Sequence, residues 1–381
     1  MKLAFCIFKY FPFGGLQGDF LRIALECQKR GYSITVFTTS WNGEIPQDFN
    51  VKFIKPHALS NHEKMKEFAS LVDKETTICD YAIVIGFNRI PGLDIYFAGD
   101  NCLAEKARKE KNFLYRLTPR YRAFAELEKA VFEIQSKTEI LYLTERQKNE
   151  YVKHYSTQEK RFHLMPPGIS EERKRPANYD QIKRDARTSL GISDSTKVLI
   201  QVGSGFITKG LDRSIRALAS LPKNIRIKTI LLVVGSDNQS KFIKLSKKLD
   251  VESNVRFLGG RNDVTSLLVS SDLMIHPAIN ESAGSVLIEA LAAGLPVICS
   301  EACGYSCYIE KTKAGIVTPE PFNQNYLNKK LYEILTGNEL EIMSRNALNF
   351  AQTEDIYNRQ KYAADVIEEV IRRKPKTNMY K

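Results

Sequence analysis

A chain of 381 residues with 43% hydrophobic content is too long for one ordinary α/β domain and suits two, each able to bury its own core. No apolar run approaches the roughly 20 residues of a spanning helix, and the apolar start Leu3 to Phe8 is too short for a secretory h-region. The net charge of +12 predicts attraction to polyanions, but neither a paired-cysteine finger nor an RNP-like stretch accompanies it, so nucleic acid is not an expected partner.

Strand Leu3 to Phe8 leads into the loop Phe11-Pro12-Phe13-Gly14-Gly15. A helix with Phe20, Ile23, Ala24 and Cys27 on one face follows, Gly31 stops it, and strand Ser33 to Phe37 completes a βαβ unit. Met165-Pro166-Pro167-Gly168-Ile169 is a stiff stop, and the polar run Glu171 to Lys183 reads as a linker, which divides the chain into residues 1–168 and 169–355. A second βαβ unit follows: strand Lys197 to Val202, loop Gly203-Ser204-Gly205, a helix from about Asp212 with Ile215, Leu218 and Ala219 on one face, and strand Ile230 to Val234. Strand Val255 to Leu258, helix Asp263 to Val269, strand Leu273 to His276, helix Val286 to Ala293 and strand Pro296 to Ser300 continue the alternation. The expected fold class is therefore α/β, two Rossmann-like domains with parallel sheets covered on both faces. From Ile356 a long helical pattern with a basic tail, Arg372, Arg373, Lys374 and Lys376, is expected to pack back on the first domain.

The cysteines at 6, 27, 79, 102, 299, 303 and 307 fall mostly in apolar segments, as buried thiols of a reducing cytosol would. Cys299, Cys303 and Cys307 do not have a zinc spacing, and no histidine lies near them.

Open parallel sheets bind ligands beyond the carboxyl ends of their strands, which directs attention to four features. Gly14-Gly15 opens a helix and lets a ligand approach its amides, although a tight turn explains the pair equally well. Lys209-Gly210 puts a cation beside a helix N-terminus, where a diphosphate would sit; a solvated surface lysine is the alternative. In Asn280-Glu281-Ser282-Ala283-Gly284-Ser285, Ser282 or Ser285 can cap, Ala283 and Gly284 expose amides, and Glu281 is separated by seven residues from Glu289 in the next helix. Carboxylates for sugar hydroxyls, together with a cation and amides for a diphosphate, are the mixture a nucleotide sugar needs.

With these residues in place the chain resembles the retaining glycosyltransferases of family four, which have the GT-B architecture of two Rossmann-like domains facing across a cleft. Phe11 to Gly15, Lys209-Gly210 and Glu281 to Glu289 match that family's glycine loop, phosphate lysine and Glu-x7-Glu motif. More narrowly, Lys9 to Gln17, Pro91 to Asp94, Phe113 to Thr118, Gly260 to Val264 and Ala292 to Val297 resemble its lipopolysaccharide core glucosyltransferase I branch. The resemblance implies transfer of glucose from UDP-glucose to a heptose of the lipid A-inner core, with retention, on the cytoplasmic face of a membrane. A different UDP-sugar donor is the first alternative and a non-enzymatic polyanion-binding protein the second.

Carried over by position, Glu281 contacts sugar hydroxyls, Glu289 the ribose and Lys209 the diphosphate, while the loop around Arg261 borders the uracil. The wider family places an arginine where this chain has Ser204; Arg173 is the candidate replacement, and a solvated linker arginine is its alternative. Asp19 and Asp100 are read as carboxylates orienting acceptor and donor hydroxyls, and Gly15 as a source of amides; capping or solvation would also explain the two aspartates. No cofactor or metal is expected, because the chain has no Asp-x-Asp pair at a strand end. Leu103 to Phe132, with eight bases against four glutamates and interleaved Phe113, Leu114, Tyr115, Leu117, Tyr121 and Phe124, is expected to meet an anionic membrane surface.

Overall fold

The computed structural model describes residues 1–12, 14–110 and 113–374; Phe13, Lys111 and Lys376 lie outside the described residues. Contacts gather the chain into two compact units, Met1–Gly168 with Asn358–Lys381, and Ile169–Tyr357.

The first unit is built on a seven-stranded sheet, parallel throughout, in which Lys2–Cys6 lies between Ser33–Thr38 and Ile83–Gly86. Strands buried on both faces carry continuous apolar runs, and Leu3, Ala4, Phe5 and Cys6 are all fully buried. The first strand ends at Cys6 rather than Phe8, because Lys9–Tyr10 leaves the sheet to pair with Ser40–Trp41 in a two-stranded ribbon. Helix Gly15–Lys29 turns Phe20, Ile23, Ala24 and Cys27 inward.

Helix Arg359–Arg373 packs against Gly15–Lys29 within this unit, burying Ala363, Ala364, Ile367 and Val370. At its start Arg359, 1% exposed, donates Nη1 to both oxygens of Asp19 at 2.9 and 3.0 Å and Nε to the Pro166 carbonyl at 2.8 Å. Arg30 reaches Asp365 at 2.7 Å.

Between the strands Ile95–Phe97 and Glu139–Tyr142 the chain forms helix Leu103–Glu110, the 3₁₀ turn Phe113–Leu117 and helix Pro119–Phe132. Thr118 caps the last of these by accepting from the Tyr121 amide, with Pro119 at the first helical position, where its missing N–H costs nothing.

The second unit carries a six-stranded parallel sheet whose centre pairs Lys197–Val202 with Thr229–Val234 on one side and Leu273–His276 on the other. Glu171 to Lys183 is not a simple linker: Glu171–Arg173 is a 3₁₀ turn and Tyr179–Ser189 is a helix. That helix looks polar because the residue it buries is Arg187, whose guanidinium donates to the Ser270 carbonyl at 3.0 Å and to Asp272 at 2.8 Å. Among the described residues no helix is long and apolar enough to cross a membrane.

Candidate functional site

In the second unit the strand order reverses at Lys197–Val202, whose neighbours run away from it in opposite chain directions; a crevice opens at the carboxyl end of such a switch point. The loops after Val202 and His276 flank it, and they carry Lys209 and Glu281.

Lys209 stands just before helix Leu211–Ala219, and its main-chain carbonyl accepts from Gln201 Nε2 at 2.7 Å. Gly210 caps that helix in the left-handed region at φ 67°, and a Cβ there would fall 2.1 Å from the Pro277 carbonyl oxygen. Only glycine lets the two loops touch at this point, which brings the Lys209 ammonium onto Glu281 Oε2. His276 Nε2 lies 3.3 Å from the same oxygen. Burial pushes the Glu281 carboxyl upward, but the hydrogen bond from His276 and the Lys209 charge outweigh it and hold the group down at about 2. It is therefore a carboxylate at neutral pH and a poor base, suited to accepting hydrogen bonds.

The Glu281 loop is fixed by its backbone: its amide donates to the Ala302 carbonyl at 3.3 Å, its carbonyl accepts from Gly304 at 3.2 Å, and the carbonyl of buried Ala283 accepts from Tyr305 at 2.7 Å. Gly284, at φ 88°, occupies the N-cap position of helix Ser285–Ala292 that was expected of Ser282 or Ser285. Glu289 projects from this helix to Arg173 Nε at 3.7 Å. The turn bearing Arg173 is tied down by Thr265, which donates to the Glu172 carbonyl at 3.2 Å.

Ser204, where the resemblance leads one to expect an arginine, accepts from the Ser236 amide at 3.1 Å and so stitches two adjacent loops together. Arg261 is exposed and bidentate to Asp263 at 2.8 and 2.6 Å, beyond strand Val255–Gly259.

The first unit treats its candidates differently. Gly15 opens helix Gly15–Lys29, and a Cβ on it would meet nothing within 4 Å. Asp100 is exposed just beyond Ile95–Phe97, with its carbonyl accepting from Tyr151 Oη at 3.1 Å. Asp19, expected to orient an acceptor hydroxyl, has both oxygens on Arg359 and one on Arg22 at 2.7 Å, so its carboxylate is committed to holding the C-terminal helix.

His276 was missed by the sequence reading. The signal was a histidine at the end of an apolar strand, five residues before the first glutamate of the motif. The structure also corrects the expectation that no histidine lies near the cysteine triplet. The loop after strand Val297–Ser300 brings Cys303 Sγ to 3.8 Å from the His276 main-chain carbonyl. Cys299 and Cys303 are buried and Cys307 is exposed; among the described residues no group of three His, Cys, Asp or Glu is arranged to hold a metal ion.

Two all-parallel sheets, each covered by helices and carrying their candidate residues at carboxyl-end loops, give the GT-B class of glycosyltransferase fold. The model of the family described as "Glycosyl transferases group 1" matches residues 182–350. Lipopolysaccharide glucosyltransferase WaaG of Escherichia coli (strain K12) is 45% identical over 368 residues, 96% of this chain and 98% of that protein. The crystal structure of WaaG, a glycosyltransferase involved in lipopolysaccharide biosynthesis, superposes with TM-score 0.91 at 46% identity, over 96% of this chain and 99% of that one. Anabaena Alr3699/HepE in complex with UDP-glucose shares the fold, with TM-score 0.75 at 18% identity over 97% of this chain and all of that one. The chain belongs to the group 1 glycosyl transferases, family four, and is a glycosyltransferase.

Proposed function

We propose that the protein transfers glucose from UDP-glucose to a heptose of the lipopolysaccharide inner core, with retention at the anomeric carbon. The observation that carries this reading is the ionised Glu281 beside Lys209 at the switch point of the second unit, in a chain 45% identical to the Escherichia coli glucosyltransferase over nearly its whole length. In this reading the second unit takes the donor: Lys209 and Arg173 receive the diphosphate, Glu289 the ribose, Glu281 the glucose hydroxyls, and the amides of Ala283 and Gly284 add to the anion site. The loop at Arg261 borders the base. The first unit takes the acceptor, while its Asp100 is assigned to a donor hydroxyl and its Gly15 offers an amide to the anion.

A glutamate held at about 2 and hydrogen-bonded by two cationic or N–H donors is a weak nucleophile as well as a weak base. Departure of UDP on the face that the acceptor attacks, assisted by positive charge on the leaving diphosphate, suits that environment. The test is UDP release from purified protein, UDP-glucose and a truncated core acceptor, with UDP-galactose and UDP-N-acetylglucosamine in parallel. Preference for either competitor would overturn the donor assignment. EDTA is expected to leave turnover unchanged, since lysine, arginine and helix amides serve the diphosphate; loss on chelation with rescue by manganese alone would contradict this.

We also infer attachment to the anionic inner face of the cytoplasmic membrane through Leu103 to Phe132. Supporting this, Phe113, Leu114 and Leu117 on the 3₁₀ turn are 72%, 66% and 49% exposed. Arg116, Arg120 and Arg122 beside them are exposed and enter no ion pair among the described residues. Arg108 and Lys109 are less available than their charge suggests, because both engage Glu105, at 2.6 and 3.2 Å. The informative variant therefore changes Arg116, Arg120 and Arg122 to glutamine. At roughly 1 kcal/mol per base it should lose most co-sedimentation with phosphatidylglycerol vesicles. Binding indifferent to this change and to salt would sink the attachment.

A further inference from the structure

We propose that His276 is the positioning residue of Glu281, keeping that carboxylate in place after a bound diphosphate draws Lys209 away. The proposal rests on the donor-site reading above.

His276 closes strand Leu273–His276 and is 0% exposed. Its backbone is held at several points: it lies opposite Cys299 in the sheet, and its carbonyl accepts from the Ala278 amide at 2.9 Å and from the Cys303 thiol at 3.8 Å. Full burial of the side chain leaves the ring little freedom to turn. Nε2 faces Glu281 Oε2 at 3.3 Å, whereas Nδ1 is buried without a hydrogen-bond partner.

These contacts define the state of the ring. A carboxylate only accepts, so the proton must be on Nε2. A proton on Nδ1 as well would bury an orphaned N–H, which proteins tolerate less readily than an unused acceptor. It would also add a second cation to a Lys209–Glu281 pair that is already neutral, at the cost of burying an unpaired charge. The geometry thus assigns a proton to Nε2 and leaves Nδ1 without a hydrogen-bond partner.

Lys209 and His276 converge on one oxygen, Oε2, so Oε1 is the oxygen offered to a substrate hydroxyl. In the ligand-free protein the Lys209 ammonium lies against this carboxylate. A diphosphate arriving at the helix N-terminus beside Lys209 competes for the same ammonium and carries more negative charge than one glutamate. Once the ammonium moves, a flexible glutamate would lose its orientation unless another donor held it. His276 is that donor, and held in its strand it does not follow the phosphate.

The experiment is nitrogen NMR of histidine-labelled protein, which has five histidines, with His276 assigned by its loss in His276→Gln. The free protein should show His276 as the Nε2–H tautomer. Saturating UDP should shift that resonance without changing the tautomer. An Nδ1–H tautomer, or a resonance that UDP leaves unmoved, overturns the proposal.

Kinetics give a second arm. His276→Phe should lower kcat about 10- to 100-fold, the usual effect of removing a group that orients a working residue, with the dissociation constant for UDP changed less than about threefold. His276→Gln, which retains an N–H donor, should recover part of the loss. Equal losses in both variants, tracking a fall in melting temperature or UDP affinity, would mean His276 only fills space. The donor-site reading fails separately: Lys209→Ala with undiminished UDP affinity would sink it whatever His276 does.

Discussion

Lys209 is held at Glu281 by its glycine neighbour. With φ at 67° and a virtual Cβ 2.1 Å from the Pro277 oxygen, Gly210→Ala must push the two loops apart. We expect loss of UDP affinity and at least a tenfold drop in turnover, measured by calorimetry and UDP release. Gly15→Ala is the contrast: a Cβ there meets nothing, so folding should be untouched, and any loss of activity would report a ligand approaching the amide. Lys209→Ala and Glu281→Gln should each cost on the order of 3 kcal/mol of transition-state stabilisation, about a hundredfold in rate. The depressed Glu281 value also fixes a pH signature. Its stabilising contribution is complete above about pH 4.3, the unperturbed value, and is lost only as pH falls through its folded value of about 2. A rate profile in wild type should therefore have no acid limb from Glu281 above pH 5. At this scale Lys209, Glu281 and Glu289 were singled out by their place in loops after strands and by the family resemblance, not by spacing alone, and the structure brings the first two together. Asp19 was not, since its partner Arg359 lies 340 residues away in sequence.

Elements were legible where apolar runs are continuous, as in Lys197–Val202 and Thr229–Val234, and misleading where the inward residue is charged. Helix Tyr179–Ser189 read as linker because Arg187 occupies a core-facing position and satisfies its donors on carbonyls. Helix Pro119–Phe132 shows the same thing with the opposite sign. Glu128, 0% exposed, accepts from the Leu103 and Ala104 amides at 2.8 and 3.1 Å, from Tyr155 Oη at 2.6 Å and from Arg89 at 3.0 Å. One carboxylate thus caps helix Leu103–Glu110 and ties it to Pro119–Phe132, although in sequence it was only one of four glutamates offsetting the segment's bases. Glu128→Gln should leave the half-buried Arg89 without its charge partner, destabilising the first unit by up to about 3 kcal/mol. Hydrogen exchange in residues 103–110 should accelerate, and vesicle binding should weaken although every exposed base remains. Unchanged protection there would mean that the segment is held by its apolar contacts alone.

For the whole molecule, the chain leaves the first unit at Gly168 and returns to it at Asn358. The return is what a repeat-by-repeat reading of βαβ units does not supply: a C-terminal helix completing the domain that the N-terminus began. Its anchor is the Asp19–Arg359 pair, with Gly168 so close that a Cβ would stand 2.6 Å from Arg359. Helix Arg359–Arg373 covers Gly15–Lys29 with small and branched residues, Ala363, Ala364, Ile367 and Val370, over a helix whose other face holds Phe20 on the sheet. Truncation after Tyr357 removes that cover and leaves Asp19 at the surface of a shortened unit, paired with Arg22 alone. The second unit, Ile169–Tyr357, keeps its sheet, its helices and its Lys209–Glu281 pair. The truncated protein should therefore lose exchange protection in Lys2–Cys6 and Gly15–Lys29 while Lys197–Val202 and Leu273–His276 stay protected. UDP affinity should survive as transfer to acceptor is lost. Asp19→Asn in the full chain should reproduce the effect in weaker form, lowering stability of the first unit by leaving Arg359 buried without its charge partner. Loss of UDP binding together with the truncation, or uniform loss of protection in both units, would show instead that the two units fold as one.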